Sequence, residues 1–344
     1  MLTYSQLVLN CPLKFVSYNM LRCKQISSLL TLLFSWLFLC SPLEGAKYAG
    51  EFLDLGVGAR PLGMGSAYVA LVDDVTSTYW NPAGLAQLQH KEIMFMHAET
   101  FGNLLNHDYF GFAFPLSGAQ GTLGVSFIYL GGGGIKLTDL DYSSPNDKSP
   151  YDYTFKQVGE ESHGDYSLYF SYARKAGSKL SWGGGAKVIY RKIAGYSGTG
   201  LGLDLGVRYL PRDWLSLGAR LADATSTYLS YSTGEKESIL PSLRLGGAIS
   251  KRYRSFQFTG ALDGHFFLEG RDYASQLSWG ELSADTYAGA EVGFKDRVWG
   301  RLGSERGHLT AGGGIRYRNL LVDFAFLSHE QLDDSYRLSL KLRL

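Results

Sequence analysis

Cysteine is absent beyond position 40. Cys11, Cys23 and Cys40 are the three in the chain, so everything after them lacks disulfides, thiolate metal sites and cysteine nucleophiles together. Charge is scarce as well. Charged residues make up 19%, below the ~25% of an ordinary domain, and a formal net charge of +1 leaves no nucleic-acid footprint. Mean hydropathy of −0.08 is not that of a helical membrane protein. Catalytic motifs fail in turn. Gly131 to Gly134 is not followed by Lys-Ser/Thr, so it is no phosphate loop. Gly56 to Pro61 meets proline where a dinucleotide motif needs glycine. Gly195-Tyr196-Ser197-Gly198-Thr199 resembles a nucleophile elbow, but its fifth residue is threonine and no helix pattern follows. The seven histidines show neither HExxH nor paired metal spacing. These absences argue against an enzyme, and no metal or cofactor is expected.

What is abundant is glycine (43), tyrosine (23) and phenylalanine (19). Together they suggest a sheet with many turns and aromatic girdles. From residue 91 the chain reads as strands of alternating polarity. In the last, Tyr336, Leu338, Leu340, Leu342 and Leu344 alternate with Arg337, Ser339, Lys341 and Arg343. A soluble sheet also alternates, but so many large apolar residues on one face fit a lipid-facing strand better. Phe256, Phe258, Leu262 and Phe266 likewise alternate with Gln257, Thr259, Asp263 and His265. His265 is expected to face inward, where plain polar lining explains it without a catalytic role.

Fourteen such segments can be marked: 91–99, 107–116, 121–130, 164–174, 180–191, 199–210, 213–223, 239–250, 255–267, 283–294, 297–304, 308–317, 320–328 and 334–344. Every second connection is tight, as at Ala176-Gly177-Ser178, Pro211-Arg212, Lys295-Asp296 and Arg318-Asn319. Those between are expected to be longer: 131–163, 192–198, 224–238, 268–282 and 329–333. Short turns at one rim and longer loops at the other belong to outer-membrane barrels. The expected fold is therefore all-β, a 14-stranded antiparallel transmembrane β-barrel over 91–344. Loop 131–163 carries Asp139, Asp141, Asp147, Asp152, Glu160 and Glu161. It could bind calcium or a cationic partner through oxygen ligands or be a solvated outer loop; it lacks the glycine-centred calcium spacing.

The N-terminus has the order of a secretory signal. Arg22 and Lys24 precede an apolar run from Ile26 to Cys40, then small residues follow. The alternative is a single membrane anchor, but the run of about 15 residues is short of the ~20 a span needs. Cleavage is expected after Ala46, although Glu44 fits the third-last position poorly, and Met20 would start a signal of ordinary length. Removing 1–46 takes three basic residues from 33 and one acidic residue from 32, leaving 30 and 31, formally −1.

Residues 47–90 contain the stretch GVGARPLGMGSAYVALVDDVTSTYWNPAGL, positions 56–85. It is apolar apart from Arg60, Asp73 and Asp74, too short for a domain and too apolar for a free tail, so it must pack inside something. Ser66 to Asp74 reads as a short apolar helix ending in two carboxylates, and TSTYW as an extended connector. Asn81 is a helix cap with Pro82 at the first helical position. Inward glycines at 200, 202, 206, 289, 293, 312 and 314 leave room for such a filling or simply curve the sheet.

The run from Gly58 to Leu85 resembles the N-terminal signature of the PorV/PorQ family, a branch of the FadL-like outer-membrane barrels. LPSLRLGGA (240–248) and SYARK (171–175) add weaker likeness. The resemblance implies a short hatch segment inside the lumen, with Asp73, Asp74, Asn81, Pro82, Ala83 and Gly84 as its motif. It implies outer-membrane localisation, with outer-membrane lipids and the barrel-assembly machinery as partners. Two tasks follow from it. One is passage of hydrophobic small molecules in the FadL manner. The other is a component of the type IX secretion system that binds secretion-system proteins through its outer loops.

Overall fold

The computed structural model describes residues 50–100, 104–117, 120–140, 155–271, 274–328 and 334–344. The expected signal sequence and Asp141, Asp147 and Asp152 lie outside the described residues. In chain order the strands are β1 (Glu92–Thr100), β2 (Leu105–Pro115), β3 (Thr122–Leu140), β4 (Phe155–Ala176), β5 (Leu180–Ile193), β6 (Tyr196–Arg212), β7 (Leu215–Ala222), β8 (Thr227–Tyr231), β9 (Lys236–Ile239), β10 (Ser242–Tyr253), β11 (Phe256–Phe267), β12 (Leu277–Trp279), β13 (Leu282–Phe294), β14 (Val298–Glu305), β15 (His308–Tyr317), β16 (Leu320–Leu327) and β17 (Ser335–Arg343). Short β8, β9 and β12 are additions at one rim; the other fourteen form the wall. Each wall strand pairs antiparallel with its neighbours, and β1 pairs with both β2 and β17, so the ring closes.

Closure satisfies every wall ladder and leaves no edge at the seam. The period of two then sorts side chains by face. On β17, Leu338, Leu340 and Leu342 are exposed, while Arg337, Ser339 and Lys341 are buried. The same holds on β6, where Leu201, Leu203, Leu205 and Val207 face out and Asp204 faces in. The exposed face is apolar nearly all round, the reverse of a protein built for water.

The connections depart from strict short and long alternation. Ala194-Gly195 joins β5 to β6, and Arg306-Gly307 joins β14 to β15, on the side expected to carry loops. All four residues have positive φ (46°, 84°, 50° and 93°), the geometry of a two-residue hairpin turn matched to strand twist. Within the segment expected as loop 131–163, the described residues 131–140 and 155–163 are strand. β3 and β4 continue as a ribbon to Leu140 and from Phe155, with irregularities near Gly132 and Leu137. Asp139 accepts from the backbone N–H of Leu140 at 2.8 Å, and among the described residues no group of His, Cys, Asp and Glu could hold a metal ion.

Candidate functional site: a filled lumen

Residues 50–90 lie against the inward faces of the wall strands. Their local structure differs from the sequence reading. The helix is Ala59–Gly63, not 66–74; the latter is a series of turns, entered through Ser66 at φ 60°. Pro61 sits in the first turn of that helix, where a missing N–H costs nothing. TSTYW is not extended, because Ser77–Trp80 forms a helical turn. Thr76 and Ser77 hydroxyls bond to Asp74 and hold this turn in place. Asn81 caps as expected: it is extended (φ −169°, ψ 107°) and its Oδ1 accepts from Ala83 N–H at 3.1 Å, but the helix it starts, Pro82–Gln87, is 3-10.

Asn81 does more than cap. Its Nδ2 donates to the carbonyls of Val69 (2.9 Å) and Val207 (3.1 Å), tying two parts of the segment to β6. A Cβ at Gly206 would overlap Asn81 Oδ1, and one at Gly289 would overlap the Met64 carbonyl. These two wall glycines are therefore required by close approach of the segment. Pro82 and Ala83 pack on Gly183, and Gly84 sits against Val72 and Ser77.

Charge is matched across the interface. Arg60 donates twice to Glu291 (3.0 and 2.9 Å) and also reaches Asp73 at 3.1 Å. Glu291 and Asp323 share Arg301 at 2.6 and 2.7 Å. Asp74 receives Lys341 at 2.7 Å. Burial pushes the Asp74 carboxyl up, but Lys341, the Thr76 hydrogen bond and Arg60 together hold it below its ordinary value. Asp263 accepts from the N–H groups of Tyr68 (2.8 Å) and Val69 (2.9 Å), and Ser339 Oγ accepts from Ala59 N–H at 2.8 Å. Thus all three charges of the stretch, Arg60, Asp73 and Asp74, are paired. Sequence reading placed Asp263, Glu291, Ser339 and Lys341 inward but could not find these partners, which lie 195 to 280 residues away.

The filling has two levels. Residues 57–88 make a continuous buried cluster with Met94, Met96, Tyr109, Ile128 and Tyr169. Residues 52–55 make a second, with Leu130 and Ile189 of the wall, Leu229 of β8 and the partly buried Leu105, Tyr231 and Ile239. Gly56 and Gly58, at φ 71° and 86°, connect the two levels. Tyr79 OH donates to the Leu53 carbonyl, and Glu51 pairs with Arg271. Burial, then neighbouring Asp54, raises the pKa of Glu51. His265 faces in, as expected, and meets Ser242 Oγ at 2.9 Å.

Solved structures share this architecture. The toluene transporter TodX of P. putida superposes with a TM-score of 0.56 at 13% identity, covering 84% of this chain and 99% of its own. The toluene transporter TbuX of Ralstonia pickettii gives 0.53 at 12%, covering 84% and 98%. A Pseudomonas aeruginosa FadL homologue gives 0.53 at 10%, covering 83% and 98%. The fold is FadL-like. No protein-family model matches the chain, and no curated protein matches it in sequence. The PorV/PorQ likeness therefore rests on the residues quoted above and has no further support.

Proposed function

We propose that this chain is an outer-membrane barrel that carries small hydrophobic molecules, with residues 50–90 as a plug that must shift for passage. The apolar outer face supports contact with outer-membrane lipids, and a closed wall of this kind calls for the barrel-assembly machinery. The observation that carries the transport reading is the apolar seat of Leu130, Ile189 and Leu229. Leu130 and Ile189 of the wall and Leu229 of β8 face the lumen and are covered by Phe52 and Leu53 of the plug, as Met94, Met96, Tyr109, Ile128 and Tyr169 are by the rest of it. When Phe52 and Leu53 shift away, these side chains line an apolar path that suits a hydrophobic cargo. The shared fold with toluene transporters supports the same class. The test is uptake of labelled toluene and labelled oleate by cells that lack their own such channel. The chain should raise the initial rate severalfold. Rates equal to those of the empty vector, with the barrel present and folded, would refute the proposal.

A second reading, a type IX secretion component of the PorV/PorQ kind, is favoured by one observation. The β3–β4 ribbon extends past the wall and exposes Ile135, Leu137, Phe155 and Val158, a surface suited to protein partners. Secretion genes beside its gene and loss of surface-attached cargo on deletion would support it; catabolic neighbours would support transport.

A further inference from the structure

One rim of the wall is basic. The stretches 174–180, 211–214, 251–256, 294–298 and 316–320 carry the turns from β4 to β5, β6 to β7, β10 to β11, β13 to β14 and β15 to β16. Together they hold eleven basic residues and two acidic ones, Asp213 and Asp296, an excess of nine positive charges. The whole chain carries a formal +1, so everything else sums to −8 and the excess is local. Among the described residues, Arg252 with Asp296 at 2.8 Å is the one ion pair in these turns. The other cations are left to meet something outside the chain.

Aromatic rings accompany the charge. Lys251 stands 5.2 Å from the ring of Trp214, Arg254 5.3 Å from Tyr253, Lys295 5.2 Å from Phe294 and Arg318 5.5 Å from Tyr317. These four rings are 40–71% exposed. An aromatic belt marks the depth at which hydrocarbon gives way to headgroups, which puts the neighbouring cations at phosphate depth. Three of them are also held in the left-handed region: Arg254, Lys295 and Arg318 have φ of 53°, 52° and 54°. Glycine and asparagine are at ease there and long side chains are not. The charge, not the backbone, explains a basic residue at such a place.

The basic turns run from β4 to β16 and so follow the wall round. A protein partner docks on one side of a barrel, whereas a lipid leaflet surrounds it. Phosphate esters accept from guanidinium and ammonium groups, and basic residues at a membrane surface attract anionic lipid. We infer that this rim binds the headgroups of anionic phospholipids, an inference that rests on the outer-membrane reading but not on what the barrel carries.

The test is electron paramagnetic resonance of the full-length barrel in phosphatidylcholine vesicles, with phosphatidylglycerol or phosphatidylcholine bearing the same spin-labelled chain. Phosphatidylglycerol should associate roughly threefold more strongly at low salt, and the preference should fade as salt screens the rim. Arg254→Asn, Lys295→Asn and Arg318→Asn together remove three charges and relieve three turns. This variant should lose at least half of the preference while its heat-modifiable mobility persists to the same or a higher temperature. Lys136→Gln with Lys156→Gln, on the ribbon at the other rim, should keep the preference intact. Equal association of the two lipids with an inserted barrel, as expected if the rim served an acidic protein instead, would overturn this inference alone. So would a preference unchanged in the folded triple variant, or one lost equally in the ribbon variant. A chain that stays out of the bilayer would overturn both the inference and the outer-membrane reading.

Discussion

Replacing Lys341 with methionine should loosen the plug while leaving the wall assembled. Lys341 is buried and donates to Asp74 Oδ2 at 2.7 Å, with Glu92 at 4.0 Å and itself buried. Its backbone pairs with Met94 on one side and Leu321 on the other, and methionine keeps both ladders. What changes is Asp74. Its Oδ1 still accepts from Thr76 N–H at 3.0 Å and from the Thr76 hydroxyl, but the cation is gone and the carboxylate stays buried. Breaking one side of a buried pair costs about 3–5 kcal/mol, or roughly 10² to 10⁴ in the ratio of docked to undocked plug. The natural relief is for residues near Asp74 to leave the lumen. Ala70, buried at the same level, can be changed to cysteine. Expressed from residue 47, the chain has no other thiol. Maleimide labelling of the folded, heat-modifiable barrel then reports undocking. Lys341→Met should raise the labelling rate at least tenfold, and adding Asp74→Asn should return most of the protection by removing the stranded charge. Unchanged labelling in Lys341→Met, or a double variant as loose as the single one, would refute the reasoning.

Other outcomes follow from the same interface. Leu340→Arg places a charge on the outward face, where Leu340 is 43% exposed. It should cost ~2–4 kcal/mol at the midplane, lowering refolding yield in lipid without raising Ala70→Cys labelling. Ser339→Arg should do the reverse, since Ser339 is fully buried under Ala59; it should raise labelling sharply. Gly206→Ala should disturb the Asn81 cap and raise labelling, whereas Gly184→Ala, whose new Cβ meets nothing nearer than 3.5 Å, should be silent in the same assay. Asn81→Ala should cost more than the roughly 0.5–2 kcal/mol of a lost cap, because the carbonyls of Val69 and Val207 also lose their donor, and thermal release of the plug should come measurably earlier.

The wall was legible from sequence because a period of two is local. Leu338, Leu340 and Leu342 announce a face by themselves, and fourteen such runs give a closed ring. Asn81-Pro82 was legible for the same reason, since a cap and its helix start are neighbours. The ends of the strands were not. Ala194-Gly195 looks like part of a loop until its backbone adopts the turn, and the β3–β4 ribbon continues through residues that carry no clean alternation. The helix at Ala59–Gly63 was missed because its glycines and proline argue against helix locally. Packing against Ser339 and Gly312 decides it instead. The ionic contacts were illegible in principle. Alternation places Glu291 and Lys341 inward, but only the closed barrel brings them to Arg60 and Asp74.

The most direct test of the account is a covalent lock on the plug. Thr78 of the plug and Ser126 of β3 bring their hydroxyl oxygens to 2.7 Å from one another, so two sulfur atoms in their place need only a small adjustment to bond. Thr78→Cys with Ser126→Cys, oxidised in a chain without other cysteines, should keep heat-modifiable mobility. Uptake of labelled toluene should fall to the empty-vector rate and return on reduction. Uptake that is the same in the locked and reduced forms, and above the empty vector, would contradict the claim that cargo passes only when residues 50–90 shift.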